Sequence, residues 1–236
     1  MQTPSPGDRG ARPWDAAAVR AAEFDLAGAV ELLEEASARG DRDARVAALY
    51  LRGVLQAGEA YRDGGAVEAL APVRDAIASL EAIAQGRPGP AEIARLTLHA
   101  AAAAAQSERD EMTLYLAGAL QMESIQRMAG LPGAPLVSAA EIAGDLWLQV
   151  HRYADAHRAY LEAAARVGST LRVLSGLARA ARRLDDAAGA CAGYRRLLDA
   201  WSGRPGRSAG AGDAREGARV PVEIADARAY AGACAP

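Results

Sequence analysis

Residues 138–201 read SAAEIAGDLWLQVHRYADAHRAYLEAAARVGSTLRVLSGLARAARRLDDAAGACAGYRRLLDAW. Within them Ala156 and Tyr160 return 34 residues later as Ala190 and Tyr194. The small residue twelve positions before each Ala, Gly144, returns as Ala178. Each copy reads as two amphipathic helices joined by a tight turn, 138–151 with 153–167 and 170–183 with 185–201. A fixed period in this range marks stacked helical hairpins, because each hairpin buries its apolar face only against its neighbours. The expected fold class is therefore all-α.

Composition agrees. Of the 236 residues 51% are apolar, only 5% are aromatic, and about a quarter are Ala. Ala is the best helix former and lets helices approach closely. All 27 basic residues are Arg, which we read as the codon bias of a GC-rich bacterial genome. The net charge of −3 gives no basic excess for general nucleic-acid binding. It hides an asymmetry: 11 Arg against 18 acids over 14–130, and 10 Arg against 6 acids over 142–204. No apolar run reaches membrane-spanning length, and the polar start MQTPSPGDRGAR has no signal-peptide core. These features suggest a cytoplasmic protein, or a periplasmic one if a leader was removed. Two cysteines, Cys191 and Cys234, are too few for a disulfide framework. Cys191 is expected to be a buried inert thiol, and Cys234 to lie near a mobile end.

Along the chain, 1–13 reads as a disordered tail. Residues 14–201 read as one helical domain, 202–221 as a flexible Gly/Arg-rich loop and 222–236 as a short terminal helix and tail. Before the regular hairpins, helices are expected from Trp14, through LAGAVELLEEASA, over 44–61, after Pro72, and over 91–107 and 109–128. Gly40-Asp41, Asp63-Gly64-Gly65 and the GRPGP of 86–90 punctuate them.

The pairs Gly144-x-x-Trp147, Ala156-x-x-x-Tyr160 and Ala190-x-x-x-Tyr194 resemble the tetratricopeptide repeat family, most clearly over 138–201. The segment Trp14–Asp41 is a fainter copy. The resemblance implies a right-handed α-solenoid whose first helix in each hairpin lines a concave peptide groove. The matching positions are Ser138, Glu141, Asp145 and Gln149 on one hairpin. On the next they are Arg172, Ser175, Arg179 and Arg182, with Arg183 beside them.

Arg172, Arg179 and Arg183 recur at spacings of seven and four and so share a face. Such a row of guanidinium groups suits a carboxylate-rich segment. Two alternatives stand beside this. Asp145 and Arg179, adjacent between repeats, would simply pair, or the face would be solvated charge.

Met112, Met122 and Met128 with Leu116 and Ile125 read as core, or as an adaptable binding surface. His99, His151 and His157 lack metal-ligand spacing. The run GRPGRSAGAGDAREG lacks the strand and the Lys-Ser/Thr of a phosphate loop. Glu34-Glu35 and Asp185-Asp186 read as solvated faces or helix starts. No catalytic constellation, cofactor site or metal site is expected. The expected function is a non-catalytic scaffold holding a partner protein or peptide, possibly acidic. The alternative is a structural subunit, possibly of a homo-oligomer packed through Ala-rich faces such as His99 to Ala105.

Overall fold

The computed structural model describes residues 13–203 and 220–234. Residues 1–12 of the tail expected over 1–13, and the 204–219 part of the expected loop, lie outside them; Pro13 itself is the first residue of a helix. The described residues are helical and contain no strand. The helices are α1 (Pro13–Ala22), α2 (Leu26–Ala38), α3 (Arg42–Arg62), α4 (Ala71–Ala84), α5 (Pro90–Ala105), α6 (Arg109–Met128), α7 (Ala139–Gln149), α8 (Tyr153–Val167), α9 (Leu171–Arg183), α10 (Ala187–Ser202) and α11 (Val222–Ala233). A single 3-10 turn, Glu68–Leu70, leads into α4.

Local chemistry sets these boundaries. Side chains of Asp25, Asp41, Ser138, Thr170 and Asp186 each accept from the backbone N–H three residues on, capping α2, α3, α7, α9 and α10. Pro sits in the first turn of α4 and α5, where its missing N–H costs nothing. The turns inside the hairpins α1–α2, α5–α6, α7–α8 and α9–α10 share one geometry. A non-glycine residue at positive φ (Phe24, Ser107, His151, Asp185) is followed by an N–H that bonds the carbonyl five residues back. That is the Schellman closure of a helix C-terminus.

Each helix packs on the next in sequence, and α3 packs on α5, α5 on α7 and α7 on α9. One apolar core runs from Ala17 in α1 to Val150 after α7. A second joins α9, α10 and α11 through Leu174, Tyr194, Leu197, Trp201 and Ile224, and Phe24 from the first hairpin's turn packs against it. The small positions read from the sequence do pack: Ala156, Ala178 and Ala190 are fully buried. Tyr160 lies between Gly144 and Gly176, and a methyl group on either glycine would overlap its ring.

Three expectations are corrected. The alanines of α5 after His99 serve the chain's own core, with Ala100, Ala101, Ala103, Ala104 and Ala105 all buried, so this face has nothing left for a second copy. On α6, Met112 and Leu116 point inward, but Ile125 and Met128 are exposed and Met122 is only partly covered, so the set is not one core stripe. Cys191 and Cys234 are not separate thiols: they form a disulfide between α10 and the end of α11, with Cα atoms 6.0 Å apart.

Candidate functional site

The C-terminal ends of α3, α7 and α9 converge on a cleft of about 590 Å³. α3 brings Tyr61 and Arg62, α7 brings Asp145 and Gln149, and α9 brings Arg179, Arg182 and Arg183. Tyr153 from α8, Tyr194 from α10 and Asp226 from α11 complete the walls. The Tyr61 hydroxyl donates to the Gln149 carbonyl at 2.7 Å, which ties the end of α3 to the end of α7. Arg62, Arg182 and Arg183 sit in the last turns of their helices, where the carbonyl ends of the peptide dipoles favour positive charge.

The row of arginines expected on α9 divides into two classes. Arg172 is taken up by the protein itself. Its side chain is only 14% exposed, and its Nη2 donates to Asp145 Oδ2 at 2.7 Å. Its Nε lies 3.6 Å from Glu141 Oε2. Burial opposes the charge on Arg172, but Asp145 and Glu141 outweigh it and raise the guanidinium above its ordinary pKa. Asp145 also accepts from the buried Tyr160 hydroxyl at 2.5 Å. Burial, and then the Asp145 charge, push that phenol well above its usual range. Asp145 therefore pairs with Arg172, not with Arg179 as one alternative had it.

Glu141 and Ser138 are structural as well. Ser138 caps α7 at the Glu141 N–H, and the Glu141 carboxylate faces the Ser138 and Thr170 hydroxyls. Ser-Ala-Ala-Glu has the spacing of a capping box, and Ser138 makes its N-cap half, while the Glu141 carboxylate accepts from the two hydroxyls. Burial raises the Glu141 carboxyl, partly offset by Arg172. Ser175 is buried and out of reach of any ligand.

The remaining members, Arg179, Arg182, Arg183 and Gln149, do line one cleft. Arg182 lies over the Tyr230 ring at 5.0 Å, and Arg183 over Tyr153 at 5.9 Å. Among the described residues, none of Arg62, Arg179, Arg182 and Arg183 makes an ion pair. The cleft thus presents four guanidinium groups against one carboxylate, Asp226, that Arg172 does not already neutralise. Sequence reasoning missed Tyr61, Arg62 and Tyr153. The first two end the longest helix, and their only advance signal was that position; nothing in the irregular spacing of α3 aligned it with α7 and α9.

The described residues hold no cluster of His, Cys, Asp and Glu suited to a metal ion. No described helix is long and apolar enough to cross a membrane. No protein-family model, curated protein or solved structure matches this chain.

Proposed function

We propose that this protein is a non-catalytic scaffold that holds an acidic segment of a partner protein in the cleft between α3, α7 and α9. Helix-on-next and alternate-helix packing favours a tetratricopeptide-like solenoid, in which α3, α5, α7 and α9 are the inner helices and α11 covers the open end. The observation that carries the reading is the set of four guanidinium groups without an ion pair around one cleft, interleaved with Tyr61, Tyr153 and Tyr194. Planar guanidinium groups hold carboxylates by paired hydrogen bonds, and the tyrosines add rigid apolar contact. Because the cleft's walls are helix ends fixed by core packing, little ordering cost falls on this side of the complex. The Cys191–Cys234 bridge favours an oxidising compartment.

The test is fluorescence anisotropy with a labelled peptide rich in Glu and Tyr. Arg179→Glu with Arg183→Glu should weaken binding by at least about tenfold, a loss of roughly 1.4 kcal/mol. Circular dichroism should be unchanged, because both side chains are exposed. Equal affinity in the folded double variant, or no preference over a Lys-rich peptide, removes the basic-cleft reading. Arg172 is excluded from this test, because replacing it disturbs the fold.

A further inference from the structure

The free carboxylate of the basic cleft comes from α11, and α11 is the helix that the disulfide ties down. Asp226, Tyr230 and Cys234 are spaced by four and so share one face of it. Asp226 lines the cleft with Arg62, Arg179, Arg182 and Arg183, without closing an ion pair to any of them. Tyr230 sets its ring 5.0 Å from that of Tyr194 and lies under the Arg182 guanidinium. Cys234 bonds Cys191, which stands one helical turn before Tyr194 on α10. The remaining hold on α11 is slight. It packs chiefly on α10, and Ile224 and Ala227 are its buried residues. So short a helix is marginal without a tether. Both cysteines are half-buried, so a small thiol can reach the bridge.

We propose that α11 is a redox latch on the basic cleft. While the Cys191–Cys234 bridge is closed, α11 keeps Asp226 and Tyr230 among the arginines as an internal competitor, and reduction of the bridge lets it go. The latch rests on the acidic-segment reading of the cleft. A tethered competitor acts at an effective concentration on the order of millimolar, so a micromolar ligand meets it at a disadvantage. Release removes the Asp226 charge, takes Tyr230 off Arg182 and uncovers the Tyr194 ring for the ligand. The cleft keeps its shape, because Asp226 is the one lining residue that α11 supplies and the other walls belong to α3, α7, α8, α9 and α10. The reductant is a dithiol. Its first thiolate attacks one sulfur of the bridge and displaces the other, giving a mixed disulfide. Its second thiolate attacks the reductant's own sulfur in that bond and frees the remaining cysteine. The reductant leaves as a disulfide, and the two protons of its thiols end on Cys191 and Cys234.

The labelled Glu- and Tyr-rich peptide, titrated into the full chain by anisotropy, should bind at least about fivefold more tightly after treatment with dithiothreitol than before it. Cys191→Ser with Cys234→Ser should bind like the reduced wild type, with or without the dithiol. Asp226→Asn should tighten binding to the oxidised protein by about threefold and leave the reduced protein unchanged, because the carboxylate has by then left the cleft. Hydrogen exchange of the α11 amides should quicken on reduction. Equal or weaker binding after reduction, in a chain that keeps its other helices, overturns the latch, and weaker binding would make α11 a supporting wall. An Asp226→Asn effect that persists after reduction overturns it as well. Should reduction melt more than α11, Asp226→Asn in the oxidised protein decides alone, and an unchanged affinity there ends the proposal. A peptide bound by neither form removes the acidic-cleft reading and the latch with it, whereas equal binding by both forms removes the latch and leaves that reading standing.

Discussion

At the scale of single residues, Arg172 is a largely buried charge that links two helices. It joins α9 to α7 through Asp145 and Glu141. Removing one partner of a buried charge cluster leaves the others uncompensated. Arg172→Ala should therefore destabilise the protein by about 3 kcal/mol, read from chemical denaturation. The Glu141 carboxyl gives this cluster a pH dependence. Its folded-state pKa is raised above the ordinary 4.5, chiefly by burial. The folded chain thus holds that proton more tightly than the unfolded chain, which favours folding at acid pH. The contribution is lost as pH rises from the ordinary value through the raised one. Glu141→Gln is neutral throughout, so the wild type's melting temperature should fall relative to the variant's across that window. The residue types here were legible, since Ser138, Glu141, Asp145 and Arg172 had all been placed on inner helices. Their partners were not. Periodicity puts Arg172 and Arg179 on one face, but only the closeness of α7 decides that one is buried against Asp145 and the other reaches the cleft.

At the scale of elements, helix positions followed from sequence closely, because caps, Gly-Gly breaks and first-turn prolines act locally. The turns were less legible. Phe24, Ser107, His151 and Asp185 adopt the left-handed region that sequence reasoning reserves for glycine, held there by the Schellman bonds around them. The disulfide escaped notice because its two cysteines are 43 residues apart, and only the packing of α11 on α10 brings them together. α11 fully buries just Ile224 and Ala227. A twelve-residue helix is marginal alone. Cys191→Ser with Cys234→Ser should therefore expose the α11 amides to hydrogen exchange while those of α5 stay protected. It should lower stability by up to about 4 kcal/mol in the loop-entropy account. The α6 set was half legible: its methionines were noticed, but the direction each one faces depends on how α5 and α7 seat the helix.

At the scale of the whole molecule, the uneven charge of the two halves takes on a location. Three arginines of the C-terminal half, Arg179, Arg182 and Arg183, stand around one cleft, and Arg62 from the acidic half joins them. An acidic peptide held there should bind more weakly as salt rises, since exposed guanidinium–carboxylate contacts are screened beyond about 10 Å at 0.1 M. A titration at several salt concentrations checks this, and an affinity indifferent to salt would mean that the tyrosines dominate. The disulfide also changes the chain's connectivity. Between Cys191 and Cys234 the polypeptide is a closed macrocycle threaded through two helices. A protease that cuts once inside that ring releases no fragment. The nicked molecule keeps both pieces joined until a thiol opens the ring, so the cut would be visible on a reducing gel and hidden on a non-reducing one.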